Sequence, residues 1–234
     1  DAMEILHPNA LQFATGVSPI TKFDGAVPYI ELVGTHGRAD LLLIAPATSN
    51  TIAKIAMGID DTTVATFAQN ALGAGIPIMI APAMHETMYA NPIVAAHIRT
   101  LQKHGVEFVA PKLEEEKAKL ADLVEIVERV IRRLGTRELA GKRVVVVAGA
   151  TAEPIDDIRI VTNRSTGETG IELAKAAFEK GADVELWLGR HQSPAPHYIP
   201  AKTFETTADL AAMAESMKAD VCIVPAAISD FAPR

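Results

Sequence analysis

Thr48, Ser49, Asn50 and Thr51 stand just past an apolar run in "LLLIAPATSNTIAKIA", residues 41–56. Four short polar side chains at a helix start, with free backbone N–H groups beside them, suit an anion or the polar edge of a ring. Helix capping by Ser49 or Asn50 is the plainer use of the same residues. The device returns at residues 78–88, "IMIAPAMHETM", where Ala83, Met84, His85 and Met88 follow a second Ala-Pro-Ala. Ligands of open α/β sheets bind beyond the carboxyl ends of the strands. Two such ends therefore describe one shared site, with His85 at its edge as a functional group or as an ordinary surface or capping histidine.

A second set lies downstream. Gly149 and Thr151 follow the apolar run 143–148, as a phosphate-binding turn would, although a plain tight turn has the same composition. Asn163, Ser165, Thr166, Gly167 and Gly170 then open a helix in "TNRSTGETG". Backbone N–H groups at such a start hold phosphate oxygens, and glycine permits close approach. A capped helix without a ligand is the alternative.

The elements that must position these groups are legible from periodicity. Strands are expected at 41–45, 77–81, 106–109, 143–148, 183–188 and 220–224, mostly as continuous apolar runs, the pattern of parallel strands covered on both faces. Helices are expected at 50–57, 62–72, 92–104, 121–134, 167–180 and 208–218. In the fourth of these, Leu123, Val124, Val127, Val130, Ile131 and Leu134 form one stripe, and Gly135 supplies a stop. The alternation argues an α/β class with parallel sheets. Pro46 and Pro82 are expected to end their strands. A polar linker at 136–142, "TRELAGK", divides a first domain, 1–135, from a second, 143–234.

Composition narrows the function classes. The chain has 234 residues, 49% apolar and 22% charged, with a net charge of −7 from 29 acids and 22 bases. Bulk charge gives no reason to expect nucleic acid or a membrane surface. The single cysteine, Cys222, excludes an internal disulfide framework and a cysteine-based zinc site, and fits a reducing cytoplasm. It lies in an apolar strand and reads as core. No metal-ligating set stands out, and no apolar run is long enough to span a membrane.

"APATSNTIAKIA" and "PAMHETM" resemble the two signature loops of the flavin-containing cysteine decarboxylases, in particular the bifunctional phosphopantothenoylcysteine decarboxylase/phosphopantothenate–cysteine ligase family of coenzyme A synthesis. "GATAEPIDDIRIVTNRSTGETG" and "AAISDF" resemble that family's ligase region. The resemblance implies a flavodoxin-like, Rossmann-type parallel-sheet flavoprotein domain followed by a partial second Rossmann-like α/β domain. It implies FMN held by Thr48, Ser49, Asn50, Thr51 and the backbone near Ala83, and substrate held by Met84 and His85. It implies CTP, with Mg2+, as co-substrate, read by Gly149, Thr151, Ser165, Gly167, Pro225, Ala226 and Asp230, with Asn163 stabilising an acyl-cytidylate. The substrates would be 4′-phosphopantothenate, cysteine and 4′-phosphopantothenoylcysteine, and the assembly a trimer or a multiple of it, for which an Ala- and Gly-rich surface around 65–75 is the one hint. It also implies a piece lacking both ends, with a strand and a flavin-phosphate turn before Asp1 and further lysines beyond Arg234.

The sequence departs from that pattern. Tyr29 occupies the place of the family's catalytic histidine, with His36 in the longer loop that follows. His85 replaces an asparagine. The segment "KLEEEKAKLAD" carries no clamp cysteine, and Lys117 or Lys119 is left to meet a substrate phosphate, unless the stretch is only a solvated helix start. A second reading follows from Tyr29: a first domain that serves as a non-catalytic flavin-binding or oligomerising scaffold, with the ligase alone active.

Overall fold

A computed structural model describes residues 6–23, 25 and 27–233, in two compact units, Asp1–Asp122 and Leu123–Arg234. The first unit contains α1 (Pro8–Thr15), α2 (Pro28–Val33), β1 (Leu42–Ala47), α3 (Ser49–Met57), α4 (Thr63–Ala74), β2 (Ile78–Pro82), β3 (Met84–His85), α5 (Glu86–Tyr89), α6 (Pro92–Lys103), β4 (Glu107–Phe108), β5 (Lys112–Glu114) and β6 (Lys117–Lys119). The second contains α7 (Leu123–Leu134), β7 (Arg143–Ala148), β8 (Ala152–Pro154), β9 (Ile160–Thr162), α8 (Glu168–Glu179), β10 (Asp183–Leu188), β11 (Ala201–Thr203), α9 (Thr207–Glu215) and β12 (Val221–Ile223).

In the first unit β1, β2 and β4 form a parallel sheet in that order. The central β2 is buried at every position, as an unbroken apolar run requires when both faces are covered. Ile52 and Ile55 of α3, Ala68 and Ala71 of α4 and Leu101 of α6 close the core over Ile44, Ile78 and Ile80. In the Ala- and Gly-rich segment around 65–75, Ala65, Ala68 and Ala71 turn inward, where small side chains let α4 pack close, and Gly73 and Gly75 stay exposed. Pro82 ends β2 as expected, whereas Pro46 lies inside β1, one residue before its end. The register slips between Ile44 and Ala47, and a slip of this kind leaves room for residues that cannot donate to the ladder.

The segment 112–119 is not a helix start. It folds as a β5–β6 hairpin, and β6 pairs antiparallel with β3. Glu115 and Glu116 at its tip both have positive φ, 51° and 59°, the backbone of a tight two-residue hairpin turn in an unusual glutamate pair.

The second unit is a four-stranded parallel sheet, β11-β10-β7-β12. Strand β7 sorts its valines by parity. Val144 and Val146 pack with Ile171, Ala174 and Phe178 of α8 on one face. Val145 and Val147 pack with Trp187, Phe204 and Leu210 of the α9 side on the other. Helix α7 belongs to this unit by its contacts, which divide the chain at 122/123. The reason is Arg132, whose guanidinium donates to the carbonyls of Phe178, Gly181 and Ala182 at the end of α8 and lies 4.5 Å over the Phe178 ring. The apolar stripe of α7 does not face the core. Only Ile126 is buried, and Leu123, Val124, Val127, Ile131 and Leu134 are exposed. Cys222 is likewise exposed, on the edge strand β12, and not in the core.

Candidate functional site

The first site is built at the carboxyl ends of β1 and β2. Ala47 pairs with Pro82, and the Ala83 N–H donates to the Ala47 carbonyl at 2.9 Å. That ladder sets the start of α3 beside the Met84–His85 segment. It also uses up the Ala83 N–H, so only the carbonyl and the small side chain of Ala83 remain for a ligand.

Thr48 is the cap of α3. Its hydroxyl accepts from the Thr51 N–H at 3.3 Å and meets the Thr51 hydroxyl at 3.2 Å. Capping by Thr48 frees the neighbours. Among the described residues, the hydroxyl of the largely buried Ser49 and the amide of the exposed Asn50 have no hydrogen-bond partner. A hydroxyl, a carboxamide and the first N–H groups of a nine-residue helix thus converge at one strand end.

On the other strand end, Met84 is half-buried against the core, and His85 is exposed. His85 holds the position before α5 but makes no capping hydrogen bond. The register places His85 opposite Lys117 and Met84 opposite Ala118, and the Glu86 N–H donates to the Glu116 carbonyl at 3.0 Å. The two lysines are not equivalent. Lys119 pairs with Glu115 at 2.8 Å and Glu114 at 3.4 Å, which holds the Glu115 carboxyl below its usual range. Lys117, on the exposed side of β6, has no carboxylate partner among the described residues.

Tyr29 and His36 are not brought into this group by any described contact. Tyr29 packs on the core of the first unit, edge-on to Phe23 with ring centroids 5.2 Å apart. His36 lies exposed on the turn after α2.

The second site lies at the carboxyl end of β7. Gly149 has φ +85°, and a Cβ there would come within 2.7 Å of the Arg190 carbonyl, so only glycine fits. Ala150 bridges Arg190 on one side and Ala227 on the other. Thr151 is fully buried and spent on structure, which corrects its assignment as a nucleotide contact. Its hydroxyl accepts from the Ser229 N–H at 2.9 Å, and its carbonyl accepts from the Thr162 hydroxyl at 2.7 Å. Thr151 thereby pins the loop that carries Asp230, and sequence reasoning missed this tie because its partner is 78 residues away.

Asn163 is not a helix cap. Gly167 holds that position in α8, with φ +76° and no side-chain cap bond. The exposed Asn163 amide donates instead to the Ala227 carbonyl at 3.2 Å. Ser165 accepts weakly from the Gly167 N–H at 3.4 Å. Pro225 and Asp230 are exposed and Ala226 is half-buried, in the segment after β12. Among the described residues no group of three or more His, Cys, Asp or Glu could hold a metal, and no helix is long and apolar enough to cross a membrane.

The family model described as flavoprotein matches residues 1–135. The chain belongs to the flavoprotein family. Its first unit is accordingly the flavodoxin-like α/β domain that the parallel sheet describes. A second model, the DNA/pantothenate metabolism flavoprotein C-terminal domain, matches residues 139–234. The chain is similar to the coenzyme A biosynthesis bifunctional protein CoaBC of Thermococcus kodakarensis, 48% identical over 237 residues, which is 99% of this chain and 58% of that protein. It is 36% identical over 235 residues to the protein of that name from Methanocaldococcus jannaschii, again 99% of this chain and 57% of the relative. The chain thus spans less than two thirds of the length of these relatives. A solved structure of the FMN-dependent cysteine decarboxylase SpaF aligns at 30% identity and TM-score 0.47, over 57% of this chain and 75% of that one. As a member of a flavoprotein family, the chain has in Ser49, Asn50 and the α3 N-terminus a donor set that fits a flavin's phosphate or polar ring edge.

Proposed function

We propose that the protein acts in coenzyme A synthesis, with an FMN-dependent decarboxylase in its first unit and a CTP-dependent ligase in its second. The observation that carries this reading is the two family matches in one chain, flavoprotein followed by the pantothenate-metabolism domain. In the first unit the reaction would be decarboxylation of 4′-phosphopantothenoylcysteine to 4′-phosphopantetheine. FMN would be held by Ser49, Asn50, Thr51 and the helix start that Thr48 organises. The flavin supplies a two-electron oxidation and its reversal. The chain's own residues bind and orient. Met84 offers an apolar wall, the exposed imidazole of His85 meets the substrate carboxylate, and Lys117 meets its phosphate. Lys119, already paired with two glutamates, supports the hairpin instead.

In the second unit the carboxylate of 4′-phosphopantothenate attacks the α-phosphorus of CTP and releases pyrophosphate. The cysteine amine then attacks the acyl carbon of the acyl-cytidylate. The C–N bond forms, CMP departs with the C–O electron pair, and the amine proton passes to solvent. Asn163 would donate to the developing acyl oxyanion. Gly149, Ser165 and Gly167 would receive phosphates, and Pro225, Ala226 and Asp230 the base or ribose. Mg2+ would arrive with the nucleotide as part of that substrate. A cytoplasmic trimer, or a multiple of it, completes the proposal, with small molecules as its only ligands.

One observation favours the rival reading of the first unit. Tyr29, at the position of the family's catalytic histidine, is committed to packing on Phe23 and the core. That arrangement suits a flavin-binding scaffold beside an active ligase. Adding 4′-phosphopantothenoylcysteine to the intact protein separates the two. Release of CO2 supports the decarboxylase; bound flavin without CO2 supports the scaffold; no bound flavin contradicts both.

A further inference from the structure

A cavity of about 800 Å3 opens at the carboxyl ends of β10 and β11, outside the groups assigned above. Arg190 and His191 line it from the loop after β10, and Glu205 and Asp209 from the turn into α9. Phe204 and Met213 supply an apolar floor.

Both charged segments are held in place. The Arg190 backbone exchanges hydrogen bonds with Ala150 at 2.8 and 2.9 Å. The Gln192 and Ser193 N–H groups both donate to the Thr166 carbonyl. A Cβ on Gly167 would come within 2.9 Å of the His191 Cβ, so the glycine is what allows this loop to lie against the start of α8. The His191 Nδ1 donates to the Gly189 carbonyl at 2.8 Å, which leaves Nε2 for another partner. Across the cavity, Asp209 accepts from the Glu205 and Thr206 N–H groups. The buried Glu153 carboxylate accepts from the Thr207 N–H and hydroxyl, both at 2.8 Å, and fixes the same turn.

Opposite charges therefore line one cavity on fixed backbone, yet Arg190 and Glu205 form no ion pair with each other or with any described residue. A lone dianion would face two carboxylates here, and a lone cation would face the guanidinium. A molecule that carries both charges satisfies both sides. We propose that this cavity receives a small zwitterion, an α-amino acid whose carboxylate meets Arg190 and whose ammonium meets Glu205 and Asp209. Resting on the ligase reading, the amino acid is the cysteine that is joined to the acyl group. The cavity exceeds one amino acid in size and leaves room for the acyl partner.

The test uses the intact protein with Arg190→Gln and Glu205→Gln, both changes at exposed side chains. Loss of a charge-assisted contact typically costs about tenfold or more in affinity. The KM for L-cysteine rises by about that factor in each variant, while the KM for CTP moves less than twofold. Calorimetric titration with L-cysteine and with cysteamine, which lacks the carboxylate, gives a second readout that needs no turnover. Arg190→Gln weakens L-cysteine alone, and Glu205→Gln weakens both. Wild-type affinity for L-cysteine in both variants overturns the proposal, as does a parallel rise in the KM for CTP. If wild type releases no pyrophosphate from CTP and 4′-phosphopantothenate, the ligase reading fails, and the calorimetry still decides whether the cavity takes an amino acid.

Discussion

Lys117 stands directly across an antiparallel ladder from His85. The pairing places an unpaired ammonium beside an imidazole at the end of the buried strand β2. Neighbouring Lys119, two residues on along β6, is neutralised by Glu114 and Glu115.

The difference between the lysines is measurable. Lys117→Gln should raise the KM for a phosphorylated substrate about tenfold, the scale of one charge-assisted hydrogen bond. Lys119→Gln should change it less than twofold, because exposed pairs of this kind contribute little. Equal effects of the two changes would remove Lys117 from the site.

Asn50 gives a second test. Its amide is free because Thr48 does the capping. Asn50→Asp keeps a helix-compatible side chain and favours the α3 N-terminus, so stability should hold. Flavin affinity, followed by fluorescence titration, should fall about tenfold or more as the new charge repels the phosphate or mispairs with the ring. Unchanged affinity would place the flavin elsewhere.

Asn163 separates a tie from a catalytic donor. Its amide reaches the Ala227 carbonyl at 3.2 Å and caps no helix. Asn163→Asp should leave pyrophosphate release from CTP intact and slow amide formation by about 10²–10³, the usual cost of a lost oxyanion donor. If both steps slow equally, the residue acts only by holding the 225–230 segment.

Helix α7 carries a proton-dependent contact with α8. Burial and the neighbouring Glu179 push the Glu128 carboxyl up to about 7, and one of its oxygens is buried without a partner. Lys175 opposes the shift, Glu172 adds to it, and the Tyr198 phenol, also raised, is buried nearby. A carboxyl whose folded value lies above its unfolded value favours the folded state below about 4.5, and that contribution is lost as pH rises through about 7. Hydrogen exchange of α7, corrected for intrinsic rates, should therefore quicken between pH 5 and 8. Glu128→Gln should flatten that dependence, whereas Arg132→Ala should loosen α7 at every pH by removing its bonds to the α8 carbonyls.

Much of the scaffold was legible because its signals are local. The runs at 78–82, 144–148 and 186–188 are apolar throughout, and Gly58 and Gly75 close their helices in the left-handed conformation. The strand-end groups Thr48–Thr51 were legible for the same reason, although the cap proved to be Thr48. What sequence did not reveal depends on distant partners. The 112–119 hairpin exists because β3 offers it an edge, and two glutamates adopt positive φ at its tip to reach it. Thr151 looked like a phosphate contact until Ser229 claimed its hydroxyl. The α7 stripe has core periodicity, but Arg132 and Ile126 decide which face docks.

The central claim is that the first unit of this flavoprotein performs a flavin-dependent decarboxylation. The most direct measurement mixes the intact, flavin-loaded protein with 4′-phosphopantothenoylcysteine and follows flavin absorbance and released CO2 together. The expected result is a transient loss of flavin absorbance, its recovery, and one CO2 per substrate consumed. An unchanged flavin spectrum with no CO2, in a protein that binds the substrate, would contradict it.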